Sequence, residues 1–163
     1  NTAAAKAKVS SFIPQTNPSD LPALVSQTDS LVYVIDSPEK LRPAFPGQLD
    51  KALCGARLDI DKDGTAEWFI GDERGVRLQT SDGWVLFRYP SSGPIQSVQV
   101  IRGKSGIALW AWDGTELLVL NAAGQCIHRL PVKSSDYQVS QGKSGLFLQF
   151  VTGSGLRIRQ MHP

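Results

Sequence analysis

From Ser30 onward the chain is a succession of short apolar or alternating stretches. They include LVYVID (31–36), AEWFIGD (66–72), GVRLQT (75–80), WVLFRY (84–89), IALWAW (107–112), ELLVLN (116–121) and LFLQFV (146–151). Each is four to eight residues long, rich in β-branched and aromatic residues, and bounded by Gly, Asp, Asn, Ser or Pro. No amphipathic helical period lies between them. The pattern predicts an all-β domain over 30–163. Asp-Gly, a strong hairpin-turn dipeptide, occurs at 63–64, 82–83 and 113–114, and AAG at 122–124 takes the place of SDG at 81–83. Residues 1–29 differ. NTAAAKAKVSSF is small and polar, and DLPALVSQ suits one short helix with Ser19 as N-cap and Pro22 in its first turn. An N-terminal arm or leader is expected over 1–29.

Repeats set the architecture. GTAEWFIGDERGVRLQTSDGWVLFRYP (64–90) aligns with GIALWAWDGTELLVLNAAGQCIHRLPV (106–132). Trp68 falls on Trp110 at an offset of 42. After a one-residue gap, Val76, Leu78, Gly83, Arg88 and Pro90 fall on Leu117, Val119, Gly124, Arg129 and Pro131 at 41. GLFLQFVTGSGLRIRQ (145–160) starts a third copy, GKSG precedes both later copies, and LVYVIDSPEKLRP (31–43) resembles the second half of one. A period near forty residues, with four short strands per period, predicts a propeller-like arrangement of four-stranded repeats. At most four repeats fit, so the unit is either small and closed or an arc completed by more chain or a partner. A β-sandwich or barrel with look-alike hairpins is the alternative.

The one constellation with clear chemistry is LDIDKDGTAEWFIG (58–71). Asp59, Asp61 and Asp63 stand at loop positions 1, 3 and 5, Gly64 at 6 and Glu67 at 9. Carboxylates converging on one turn repel each other unless a cation sits among them. Hard oxygens at this spacing suit Ca²⁺, with the main-chain carbonyl of Thr65 at position 7. An EF-hand is excluded: position 12 is Ile70, and strands flank the loop. The segment resembles FG-GAP/VCBS-type repeats, whose D-x-D-x-D-G-x-x-D loop lies between propeller strands; the likeness is close only over about 55–90. It departs from that pattern in having Glu67 for Asp and in carrying the motif once, since Lys104 and Lys143 replace carboxylates in the other copies. The resemblance implies a secreted or surface-exposed calcium-loop propeller that binds partners.

Other signals are weaker. Trp68 and Trp110 recur at the repeat period, which favours packing between blades, whereas Trp84 and Trp112 do not and are candidates to meet a partner. The GKSG segments lack the earlier Gly of a phosphate loop. His128 sits in the alternating CIHRLP, where a strand histidine is favoured over a triad member, and His162 is near the end. Cys54 and Cys126 lack zinc spacing and are either one disulfide or two thiols. Seventeen basic against fifteen acidic residues, net +2, do not point to nucleic acid. No apolar run is long enough for a membrane-spanning helix.

The sequence is therefore expected to be a non-enzymatic binding or adhesion module stapled by one Ca²⁺, with a protein partner or self-assembly. The expected setting is extracellular, cell-surface or periplasmic. Two alternatives accompany it: a subunit of an extracellular filament or virion, and a carbohydrate-binding domain or carbohydrate-active enzyme using Trp84 or Trp112. A start at Asn1 without Met suggests processing or a piece of a longer chain.

Overall fold

A computed structural model describes residues 8–16, 18, 20–45, 50–103, 106–133, 137–142, 145–152 and 155–161. The described chain is all strand and turn, arranged as four separate antiparallel sheets in chain order. The first holds β1 (Val9–Ile13), β2 (Ala23–Ser26), β3 (Val32–Ser37) and β4 (Lys40–Pro43). The second holds β5 (Cys54–Leu58), β6 (Glu67–Gly71), β7 (Gly75–Gln79) and β8 (Val85–Pro90). The third holds β9 (Ser97–Gly103), β10 (Gly106–Trp112), β11 (Glu116–Asn121) and β12 (Cys126–Pro131). The fourth holds β13 (Tyr137–Gly142), β14 (Gly145–Thr152) and β15 (Gly155–Met161). In every sheet spatial order follows chain order. These are consecutive meanders packed face to face, the expected propeller-like arrangement and neither a sandwich nor a barrel.

Sheet stacking follows from period-2 alternation, which gives each central strand two buried faces. Trp68 and Ile70 of β6 pack back onto Ala23, Val25, Val32 and Val34 of the first sheet. Phe69, Val76 and Leu78 face forward onto Leu109, Ala111, Leu118 and Leu120. Trp110, Trp112, Leu117 and Val119 face forward again, with Leu148 and Tyr137. Both faces being covered, β6, β10 and β11 are nearly continuous hydrophobic runs, whereas β7 buries Arg77 and Gln79 at alternate positions. Each fully buried Leu, Ile or Phe contributes about 1.5–3 kcal/mol. Among the described residues no apolar cluster joins the fourth sheet to the first.

Two expectations need correction. The boundary at residue 29 moves back to Val9, because β1 and β2 pair with each other and β2 with β3. The short helix over DLPALVSQ is strand β2, whose four residues are all buried. Sandwiched between two strands, Ala23–Ser26 gains ladder bonds on both sides, which overrides a weak local helix preference. The N-cap assigned to Ser19 lies outside the described residues. The second correction concerns the repeat. Gly71 pairs with Val76 and Trp112 with Leu117. The equivalence is therefore 41 throughout, with Asp72 matching Asp113 and Phe69 matching Trp110. Trp68 instead matches Leu109, so Trp68 and Trp110, both buried, point to opposite faces of their sheets.

The turns behave as their residues predict. In the β7–β8 turn Thr80 N donates to Trp84 O and Gly83 N to Thr80 O. In the β11–β12 turn Asn121 N donates to Gln125 O and Gly124 N to Asn121 O. AAG and SDG are thus the same turn, and Gly83 and Gly124 hold φ of 90° and 81°, which a side chain disfavours. Gly103 pairs with Gly106 and Gly142 with Gly145, as GKSG hairpins require. Lys104 and Lys143 themselves lie outside the described residues, as does His162.

Candidate functional site

Strands β5 and β6 stop pairing at Leu58–Glu67, and residues 59–66, with Asp59, Asp61 and Asp63 among them, form the connection. The equivalent β9–β10 hairpin stays paired to its tip. Lys62 (φ 67°) and Gly64 (φ 93°) take left-handed conformations that fold the loop back on itself. Its amides are then met by its own carboxylates. Asp59 Oδ2 accepts from Gly64 N at 3.0 Å, and Asp61 Oδ1 from Asp63 N at 3.1 Å. Asp63 Oδ1 accepts from Thr65 N at 2.7 Å, and Glu67 Oε2 from Ile60 N at 2.7 Å. Arg102 of β9 donates through Nη2 to the main-chain oxygen of Asp59, tying the loop to the third sheet.

Of the residues singled out in sequence, the fold gathers three carboxylates. Asp59, Asp61 and Glu67 each offer an oxygen, and these oxygens lie within 4.8 Å of one another. Asp63 is outside that trio, its carboxylate committed to Thr65 N, and Thr65 follows it on the same turn. Glu67 is 8% exposed. Burial pushes its carboxyl above the usual carboxylate range; the Ile60 amide opposes the shift, and Asp61 and Asp63 add to it. Asp59 Oδ1 is buried and has no hydrogen-bond partner. An orphaned buried oxygen beside two more carboxylates is a poor arrangement for anions alone. Hard oxygens converging on one point fit a cation of the Ca²⁺ type.

The two tryptophans assigned to partner binding have opposite fates. Trp84 is 76% exposed at the end of the β7–β8 turn, with Val85 and Leu86 exposed after it. Trp112 is buried: its indole donates to Val132 O at 2.7 Å, and its ring meets Tyr137 at 5.9 Å between centroids. It cannot meet a partner, because it lies on the forward face of a central strand covered by the next sheet. The fold also brings Trp84 to the acidic loop. A cleft of about 400 Å³ is lined by Asp61, Asp63, Thr65 and Glu67 on one side and by Asp82, Trp84 and Leu86 on the other.

A larger cleft of about 620 Å³ lies at the β6–β7 hairpin and the end of β8, and sequence reasoning missed it. Three of its charged residues, Asp50, Asp72 and Arg88, belong to an ion-pair network with Arg77. Arg77, fully buried, donates to Asp72 Oδ2 at 2.8 Å, Lys51 O at 3.0 Å and Gln79 Oε1 at 2.9 Å. Arg88 pairs with Asp50 and Asp72. That network is structural; the smaller cleft is the better site because it adjoins the carboxylate trio with its orphaned oxygen. The available signal was an Arg at a buried alternate position of GVRLQT, five residues after an Asp. Cys54 and Cys126 are free thiols, and burial pushes Cys54 up to about 12. His128 sits on β12 opposite Val119.

No protein-family model and no curated protein matches the chain. Its backbone is similar to that of BBS1N, crystallised in complex with ARL6DN, with TM-score 0.64 and 12% identity over 95% of this chain and 56% of that one. It is similar also to streptogramin B lyase, with TM-score 0.59 and 13% identity over 95% of this chain and 55% of that one. Both are β-propeller folds, so the propeller-like architecture stands, while the likeness at such identity shows the fold alone. The chain spans about half the length of either neighbour. No helix of the described residues is long and apolar enough to cross a membrane.

Proposed function

We propose that this chain is a non-enzymatic, protein-binding propeller module whose second sheet is stapled by one Ca²⁺ in an FG-GAP/VCBS-like loop. The observation that carries the proposal is the trio Asp59, Asp61 and Glu67, with oxygens within 4.8 Å and Asp59 Oδ1 buried without a partner. Asp59, Asp61 and Glu67 would hold the ion, with Asp63 and Thr65 on the adjoining turn. The bound charge would balance the carboxylates and lock the β5–β6 hairpin against Arg102 of the third sheet. No step of catalysis is assigned to it. Few oxygens and an exposed loop suit the millimolar calcium of an extracellular or periplasmic setting. One structural neighbour was crystallised with a protein partner and the other is a lyase, so binding and catalysis are both compatible with the fold. Binding is favoured here because the loop carboxylates Asp59, Asp61, Asp63 and Glu67 are each held by a backbone amide of the loop itself.

The test is a melting curve of the purified chain in calcium and in chelator, with calorimetric titration of the ion. A calcium-dependent rise of several degrees, with one ion per chain, is expected. No heat of binding and superimposable melting curves would refute the staple.

A further inference from the structure

We infer that the cleft between the acidic loop and Trp84 docks an extended basic segment of a protein partner, a run of Lys or Arg interleaved with apolar residues. This deepens the binding-module proposal and names its partner's chemistry.

The apolar half of the cleft is not explained by folding. The β7–β8 and β11–β12 turns share their hydrogen bonds, and the position of Trp84 is held by Gln125 in the third sheet. The turn therefore does not need an indole. Yet Trp84 is 76% exposed, and Leu86, at 56%, carries the apolar strip on along β8. β8 is the outer edge of its sheet, next to β7 alone, so its outward side is open to an added strand. An apolar strip along an open edge fits an extended peptide better than a sugar ring.

The polar half sets the sign of the partner. Asp61, Asp63, Glu67 and Asp82 line the cleft, and among the described residues no Lys or Arg does. An ion held by Asp59, Asp61 and Glu67 would leave Asp63 and Asp82 uncompensated, so the cleft is anionic with or without calcium. A Lys or Arg stem laid across Trp84 places its cationic head over the indole face and toward Asp82. An apolar residue beside it then reaches Leu86. Charge complementarity and the exposed anchor together select a basic, apolar-flanked segment.

The experiment is fluorescence anisotropy with the intact chain and three labelled probes: a short alternating lysine–leucine peptide, its glutamate–leucine counterpart, and cellohexaose. Only the lysine peptide should bind. Trp84→Ala should weaken it about tenfold or more, the loss of one hot spot, and Asp82→Lys severalfold, with melting of both variants unchanged. Equal binding to Trp84→Ala, binding of the acidic peptide, binding of cellohexaose in the peptide's place, or no binding at all would each overturn the inference. Repeating the titration in chelator separates the two proposals. Binding that persists while calcium leaves the melting curve unmoved sinks the staple alone. A calcium-responsive chain that ignores the lysine peptide sinks this docking site alone.

Discussion

Replacing Glu67 by Gln should move stability in opposite directions with and without calcium. Glu67 is buried, and its Oε2 accepts from Ile60 N at 2.7 Å, a bond the Gln carbonyl oxygen can keep. What changes is charge. Carboxylate oxygens 4.8 Å apart repel by about 1 kcal/mol in water-like surroundings and about 3.5 kcal/mol at an effective dielectric of 20. Asp59 and Asp61 each offer an oxygen within that distance of Glu67, so the neutral amide relieves both repulsions. In chelator the variant should therefore melt higher than the native chain, by about 2–4 °C for each kcal/mol relieved at this chain length. In calcium at a hundred times Kd, the native chain gains about 2.7 kcal/mol, or roughly 5–10 °C. The variant, short of one anionic ligand, gains much less. The two melting curves should exchange order on adding calcium, read by scanning calorimetry. Identical calcium shifts in both proteins, or a Glu67→Gln chain markedly less stable in chelator, would refute this account of the loop. Asp63→Ala, outside the trio, should keep most of the calcium response.

The remaining expectations concern the core. Trp112→Ala should cost about 3–5 kcal/mol in urea unfolding, while Trp84→Ala stays within about 0.5 kcal/mol; the reverse result would mean the burial of the two rings is misassigned. Arg77→Leu should cost about 3–5 kcal/mol, because Asp72, Lys51 O and Gln79 lose their donor, even though Leu118 holds the equivalent place in the third sheet. Adding Asp72→Asn and Gln79→Leu should recover part of that loss, and a triple variant no better than the single would contradict the network. Cys54 has its folded pKa raised to about 12 from an ordinary 9.0, so the unfolded thiol ionises first. The native chain should then lose about 1.4 kcal/mol per pH unit from this group between pH 9.0 and about 12. Cys54→Ala should flatten that slope in pH-dependent unfolding. In the folded protein at pH 8, Cys54 should resist a thiol reagent that a denatured chain accepts.

The repeat explains why the two halves of the cleft were visible separately and never together. Asp59, Asp61 and Glu67 are legible because a metal loop is local: residues a few positions apart meet through one turn, and spacing alone specifies it. Trp84 was legible as an aromatic beside a turn. That the two line one cleft depends on the β5–β6 and β7–β8 connections emerging at the same edge of a four-stranded meander, a matter of sheet pairing. Arg102, which secures the loop from the next sheet, lies 43 residues from Asp59, and no local pattern marks it.

The sequence by itself determined the strands beyond residue 30, the positive-φ turn glycines, the forty-residue period and the acidic loop. Each of these is set by short-range sterics or by alternation along a few residues. Only the tertiary structure decided which tryptophan is free. Alternation assigns Trp84 and Trp112 to faces, but exposure depends on what the neighbouring sheet lays over that face: Tyr137 and Val132 in one case, nothing among the described residues in the other. It also decided that Trp68 and Trp110 face opposite ways. A one-residue slip in alignment is small along the sequence, but on a strand of period two it turns a side chain from one sheet interface to the other. Likewise β2 reads locally as a helix and becomes a strand because β1 and β3 flank it, which no eight-residue window contains.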